Sequence, residues 1–147
     1  MLFTQDWHPP VTPHFQTQGG VWPVHCVRDT WGAELVDGLD VAGAPVVRKG
    51  TGGEDGYSGF TMRDPVSGAD IPTELDHLLR DAGVTALVVV GLALDVCVKA
   101  TALDGLRLGY GVTVLQAGTR PFELKAGDGA AAVEEQTAST KEIAVNV

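Results

Sequence analysis

The chain has 147 residues, with 19 acidic and 10 basic side chains and a formal charge of −9 at neutral pH. That length buries about two thirds of the unfolded surface, so one domain over residues 1–147 is expected. The acidic balance argues against a nucleic-acid or anionic-membrane surface, and no apolar run approaches a membrane span.

In chain order, Met1 to Thr4 reads as the tail of a strand feeding a loop at Asp6–His8. Residues 9–32 hold four prolines and several glycines, which predicts an irregular functional loop. Pro45 to Arg48 is a short strand ending at Lys49, followed by a Gly-rich turn. Pro72 and Thr73 open a helix through Leu75, Leu78, Leu79 and Ala82, stopped by Gly83. Ala86 to Val90 is an uninterrupted apolar run of the kind buried on both faces of a sheet. A second helix carries Val96, Ala100, Leu103, Leu106 and Tyr110 at helical spacing. Val112–Leu115 is a further strand, residues 128–138 a third helix and Glu142–Val147 a last strand. Strands alternating with helices predict an α/β fold, a doubly wound and mainly parallel sheet with helices on both faces.

Three of the four histidines, His8, His14 and His25, lie with Asp6 in the first twenty-five or so residues. Asp6 and His8 are two apart, so an extended backbone turns both side chains to one face while Trp7 points away. Three imidazoles and a carboxylate suit a divalent ion such as Zn²⁺, Fe²⁺ or Mn²⁺, and in a chain otherwise nearly free of histidine that pattern outweighs ordinary loop histidines. His77, beside Asp76 in mid-helix, reads as surface.

The two cysteines, Cys26 and Cys97, show no CxxC spacing and no disulfide framework count, which fits a reduced, cytoplasmic setting. Cys97 follows the apolar strand and a Gly-containing turn, in the first turn of the next helix, with Asp95 as N-cap. A helix start favours the thiolate, and the carboxyl end of a parallel strand is where open α/β sheets place ligands. A small buried hydrophobe is an equal reading of that thiol. Cys26, away from any helix start, reads as structural. Lys49 is either a partner for a thiolate or a solvated strand-end cation. Trp22 and Tyr57 are either walls for a flat aromatic ligand or loop packing.

The segments TQDWHP, the histidine six residues on, VWPVHC, RKG, YSGF and GLALDVCVKATALDGLRLGYGV resemble the cysteine hydrolases of the isochorismatase-like fold, in particular their nicotinamidase/pyrazinamidase branch. The resemblance covers nearly the whole chain. It implies Asp6, His8, His14 and His25 as metal ligands, Cys97 as nucleophile and Lys49 as its catalytic partner. It also implies the backbone N–H groups of Ala93 and Cys97 as oxyanion hole, a cis peptide before Ala93, and Trp22 and Tyr57 as lining of a pyridine pocket. The activity implied is hydrolysis of nicotinamide to nicotinate and ammonia through a cysteine thioester, in NAD salvage. Its cofactor would be a divalent metal, zinc first and Fe²⁺ or Mn²⁺ otherwise, and its partner a small aromatic amide, with room for a homo-oligomer. The alternatives are another isochorismatase-like amidohydrolase and an impaired metal-binding fragment. The family's third catalytic residue is an aspartate ending a strand upstream of the metal loop. This sequence carries no such strand, following helix or Asp, so the resemblance implies an N-terminally truncated domain.

Overall fold

A computed structural model describes residues 1–123 and 125–135. The strand expected over 142–147 and the end of the helix expected over 128–138 lie outside the described residues. Two compact units divide the chain, Met1–Glu74 and Leu75–Val147.

In the first unit, β1 (Phe3–Asp6) pairs in parallel with β2 (Val46–Lys49), with Asp6 opposite Lys49. The expected strand tail runs on as far as Asp6, because its backbone finds a full ladder on β2. Residues 9–32 form the predicted irregular loop, broken by two short 3₁₀ turns at Gln16–Gln18 and Trp31–Ala33. An antiparallel pair, β3 (Thr61–Arg63) with β4 (Asp70–Pro72), follows where the sequence suggested no strands. Phe15, Val47, Phe60 and Thr12 are the most deeply buried side chains of this unit.

The second unit opens with α1 (Leu75–Asp81). The helix begins later than Pro72 and Thr73 suggested. The Thr73 N–H donates to the Phe60 carbonyl and its hydroxyl to the Gly59 carbonyl, which commits Thr73 to the preceding loop. The helix stops before Gly83, as the pattern predicted. β5 (Ala86–Leu92) then pairs in parallel with β6 (Gly111–Arg120), the register slipping between Val89 and Gly91. Between them lie a π-helical turn, Leu94–Val98, and α2 (Lys99–Arg107). Residues 128–135 are helical, and Lys99 Nζ lies 3.2 Å from Glu135 Oε2. Leu75, Leu94, Val98, Ala102, Tyr110 and Ala132 form this unit's core.

One expectation fails here. β5 is not buried on both faces, since Val88, Val90 and Leu92 stand exposed while Leu87 and Val89 are half-buried. A continuous apolar run states that both faces suit burial, not that both are covered. No helix among the described residues is long and apolar enough to cross a membrane.

Tyr110 ties α1 to the start of β6. Its hydroxyl donates to Asp76 Oδ1 at 2.7 Å, while Arg80 Nε donates to Asp76 Oδ2 at 2.9 Å and its second group reaches the Leu108 carbonyl. Tyr110→Phe removes one hydrogen bond to a carboxylate from a buried side chain. We expect a loss of about 1–2 kcal/mol in urea-unfolding stability with an unchanged m-value.

Candidate metal centre and cysteine turn

The histidines converge because two backbone bridges fold the loop back on itself. His8 N–H donates to the Cys26 carbonyl at 3.0 Å and Arg28 N–H to the His8 carbonyl at 2.8 Å, so the residue after β1 is clamped beside the segment carrying His25. Cys26 takes a left-handed φ of 45°, which turns its carbonyl toward that donor. The second bridge joins Phe15 to Trp22, with Gln16 N–H on the Trp22 carbonyl at 2.7 Å. Gly20 makes this turn possible, because a Cβ there would lie 2.1 Å from the His14 carbonyl oxygen.

The result is a cluster in which the donor atoms of His8, His14 and His25 all lie within 4.8 Å of one another. His8 and His14 stack at 4.7 Å between ring centres, and His25 sits 5.1 Å from His8 and 5.3 Å from His14. Phe15, fully buried, touches all three rings at 5.5–5.9 Å. Asp6 groups instead with His25 and Cys26, again within 4.8 Å, and its Oδ1 is ion-paired with the Lys49 ammonium. Among the expected ligands, then, three imidazoles come together as one set, and Asp6 meets that set through His25. Trp22 stacks on His14 at 6.0 Å and donates its indole N–H to the Tyr57 hydroxyl at 2.9 Å. Tyr57 lies 6.4 Å from His14, so the two expected aromatic liners flank the same imidazole.

The donor chemistry fits a divalent ion. His14 Nδ1 faces an Asp55 carboxylate oxygen at 2.7 Å and His25 Nδ1 faces the Pro23 carbonyl at 2.8 Å. Both partners accept only, so each Nδ1 carries the proton and each Nε2 keeps a lone pair for a metal. His8 Nδ1 is buried without a hydrogen-bond partner. Burial favours the neutral form of two of the rings, His8 and His14. Burial pushes the His8 imidazole down to about 4, the neighbouring His14 and His25 adding to the effect and Asp6 opposing it. Burial also lowers His14, against the pull of Asp55. Burial raises the Asp6 carboxyl, but the Lys49 ammonium outweighs it and holds the group below the ordinary carboxylate range. Asp55 is the participant the sequence did not reveal, since 41 residues separate it from His14.

In the second unit, the Leu92–Ala93 peptide is cis, as the resemblance implied. Ala93 precedes the π-helical turn, and its carbonyl accepts from Val96 and Val98 N–H at 3.1 and 3.0 Å. Cys97, half-buried, lies within that turn, two residues before α2, and its carbonyl accepts the Thr101 hydroxyl at 2.7 Å. Asp95 is not the N-cap. Its two carboxylate oxygens accept the Phe122 and Glu123 N–H groups at 2.8 Å each, tying the turn to the segment after β6. His77 is exposed and lies 3.3 Å from Asp81, as its sequence context indicated.

Residues 1–144 match the isochorismatase domain model. The nicotinamidase of Escherichia coli (strain K12) is 38% identical, the alignment covering 95% of this chain and 71% of that enzyme. The nicotinamidase of Saccharomyces cerevisiae is 37% identical over 81% of this chain, which spans just 56% of the yeast enzyme's length. Among solved structures, the pyrazinamidase of Pyrococcus horikoshii in complex with zinc superposes with a TM-score of 0.79 at 37% identity, covering 93% of this chain and 70% of that one.

An unfolded histidine takes up its proton near pH 6.5, whereas folded His8 does so only near 4. The unfolded state therefore binds more protons between those values, and stability falls as pH falls through that window. Urea unfolding of the metal-free chain from about pH 7 to about pH 4 should show this decline, and His8→Asn should flatten it. A stability constant or rising toward low pH in the parent chain contradicts the assignment.

Proposed function

The chain belongs to the isochorismatase domain family, and from that premise we propose that it is a nicotinamidase, hydrolysing nicotinamide to nicotinate and ammonia in NAD salvage in the cytoplasm. The observation that carries this reading is the imidazole triad of His8, His14 and His25, with the Nε2 atoms of His14 and His25 left to bind an ion. Asp6 completes the ligand set, and zinc is the ion of choice for three nitrogens and a carboxylate. When bound, the ion supplies a Lewis-acid contact to a ring nitrogen of the amide substrate.

Cys97 is the nucleophile in this reading. Its thiolate adds to the carboxamide carbon, and the backbone N–H groups of Ala93 and Cys97 stabilise the tetrahedral oxyanion. Collapse with uptake of a proton expels ammonia and leaves a thioester, which water hydrolyses to nicotinate. Lys49, ion-paired with Asp6, takes in this reading the catalytic role that the resemblance implies for it. Trp22 and Tyr57 present flat apolar surface beside His14, suited to a pyridine ring.

The test is ammonia release from nicotinamide by the chain loaded with zinc. Cys97→Ala should lose on the order of 10³-fold or more in kcat while binding zinc as the parent does, and acid quenching of the parent should trap a nicotinoyl group on the Cys97 peptide. Ammonia release that survives in Cys97→Ala overturns the thioester mechanism. A second check is removal of the metal by a chelator, which should abolish turnover and be reversed by added Zn²⁺.

A further inference from the structure

We propose that Asp55 is a positioning residue of the metal centre, whose carboxylate fixes the tautomer and ring orientation of His14 so that its Nε2 is presented to the ion. The proposal rests on the reading of His8, His14 and His25 as metal ligands. A neutral imidazole has two tautomers of similar energy, and only the one protonated at Nδ1 leaves Nε2 free to ligate. Asp55 Oδ1 lies 2.7 Å from His14 Nδ1, a distance typical of a charge-assisted bond. Among the three clustered histidines, His25 leans on a carbonyl two residues away and His8 Nδ1 has no partner. His14 alone of the three is oriented by a carboxylate from a distant segment.

Asp55 is itself held in place. Its N–H donates to the Arg63 carbonyl at 2.9 Å, and the Arg63 N–H donates back to the Asp55 carbonyl, a two-bond antiparallel bridge onto the end of β3. The same Oδ1 that meets His14 accepts the Gly56 N–H at 2.8 Å, which fixes the carboxylate's direction. Gly56 takes a φ of +121°, and a Cβ there would press to 3.1 Å from the Met62 Cα and 3.3 Å from the Thr61 carbonyl oxygen. Any other residue would crowd the β3 backbone and strain the positive φ that follows Asp55. A second strap joins the same two segments. The buried Thr12 hydroxyl donates to the Gly53 carbonyl at 3.3 Å and accepts the His14 N–H at 3.3 Å. An incidental surface ion pair would have neither a buried imidazole at one end nor a braced carboxylate at the other. The His14 side chain is 4% exposed, against 46% for Asp55.

Two measurements on the full chain separate this role from its premise. The first is the ¹⁵N ring spectrum of the metal-free protein, which reports tautomers directly. His14 should be protonated at Nδ1 in the parent and in Asp55→Asn, whose amide oxygen still accepts, and should become a tautomer mixture in Asp55→Ala. A parent His14 protonated at Nε2 overturns the proposal, whether or not zinc binds. The second is zinc affinity by competition with a chromophoric chelator. Asp55→Ala should bind zinc about 10- to 100-fold more weakly, with Asp55→Asn recovering much of the loss. Asp64→Ala, which removes an equal charge from a half-buried carboxylate bonded to Val66 and Ser67 of its own turn, should leave affinity unchanged. Equal affinities for Asp55→Ala and Asp64→Ala overturn the positioning role. Failure of the parent chain to bind zinc would overturn the functional reading instead, leaving the tautomer measurement to decide the role of Asp55.

Discussion

Three imidazoles held around one buried phenylalanine are the constraint on which the first unit depends. Phe15 touches His8, His14 and His25, and Trp22 stacks on His14. Packing the His8 and His14 rings 4.7 Å apart is tolerable only while both are neutral, because like charges about 5 Å apart in a half-dry site repel strongly. Burial supplies that neutrality, at the cost of an unsatisfied His8 nitrogen, a defect worth about 1–3 kcal/mol. The folded loop therefore keeps a polar cluster that is unfavourable by itself and suited to a cation. The backbone carries the expense through two bridges, His8 to Val27 and Phe15 to Trp22, which close a proline-stiffened loop.

The second unit solves a different problem, that of presenting a sulfur atom at the end of a strand. β5 delivers the chain to the cis Leu92–Ala93 peptide, and the π-helical turn then carries Cys97 into α2. Asp95 braces this turn by accepting two backbone donors from the segment after β6. The same carboxylate in the N-cap position would have stabilised only its own helix. Here it joins two segments that the sheet alone leaves connected through β6.

Local periodicity made the regular elements legible. The alternation of Asp6 and His8, the strand ending at Lys49 and the helix ending before Gly83 are all properties of neighbouring residues. The clustering of the histidines was legible too, because ligand chemistry is written in residue type and their spacing is short. What escaped depended on distant partners. Asp55 looks like any acidic loop residue until folding brings it to His14, and Thr73 looks like a helix opener until Gly59 and Phe60 claim it. The β3–β4 pair has three residues per strand, too few for a period-two pattern to stand out. The exposure of Val88, Val90 and Leu92 escaped for a different reason: an apolar run reports what a face tolerates, not what covers it.

Two overlapping donor sets share His25, one built from His8 and His14, the other from Asp6 and Cys26. X-ray absorption on the zinc-loaded chain distinguishes them directly. The account predicts a shell of nitrogen and oxygen at about 2.0–2.1 Å with the outer scattering of three imidazoles. A sulfur at about 2.3 Å, or scattering from fewer than three imidazoles, would contradict it.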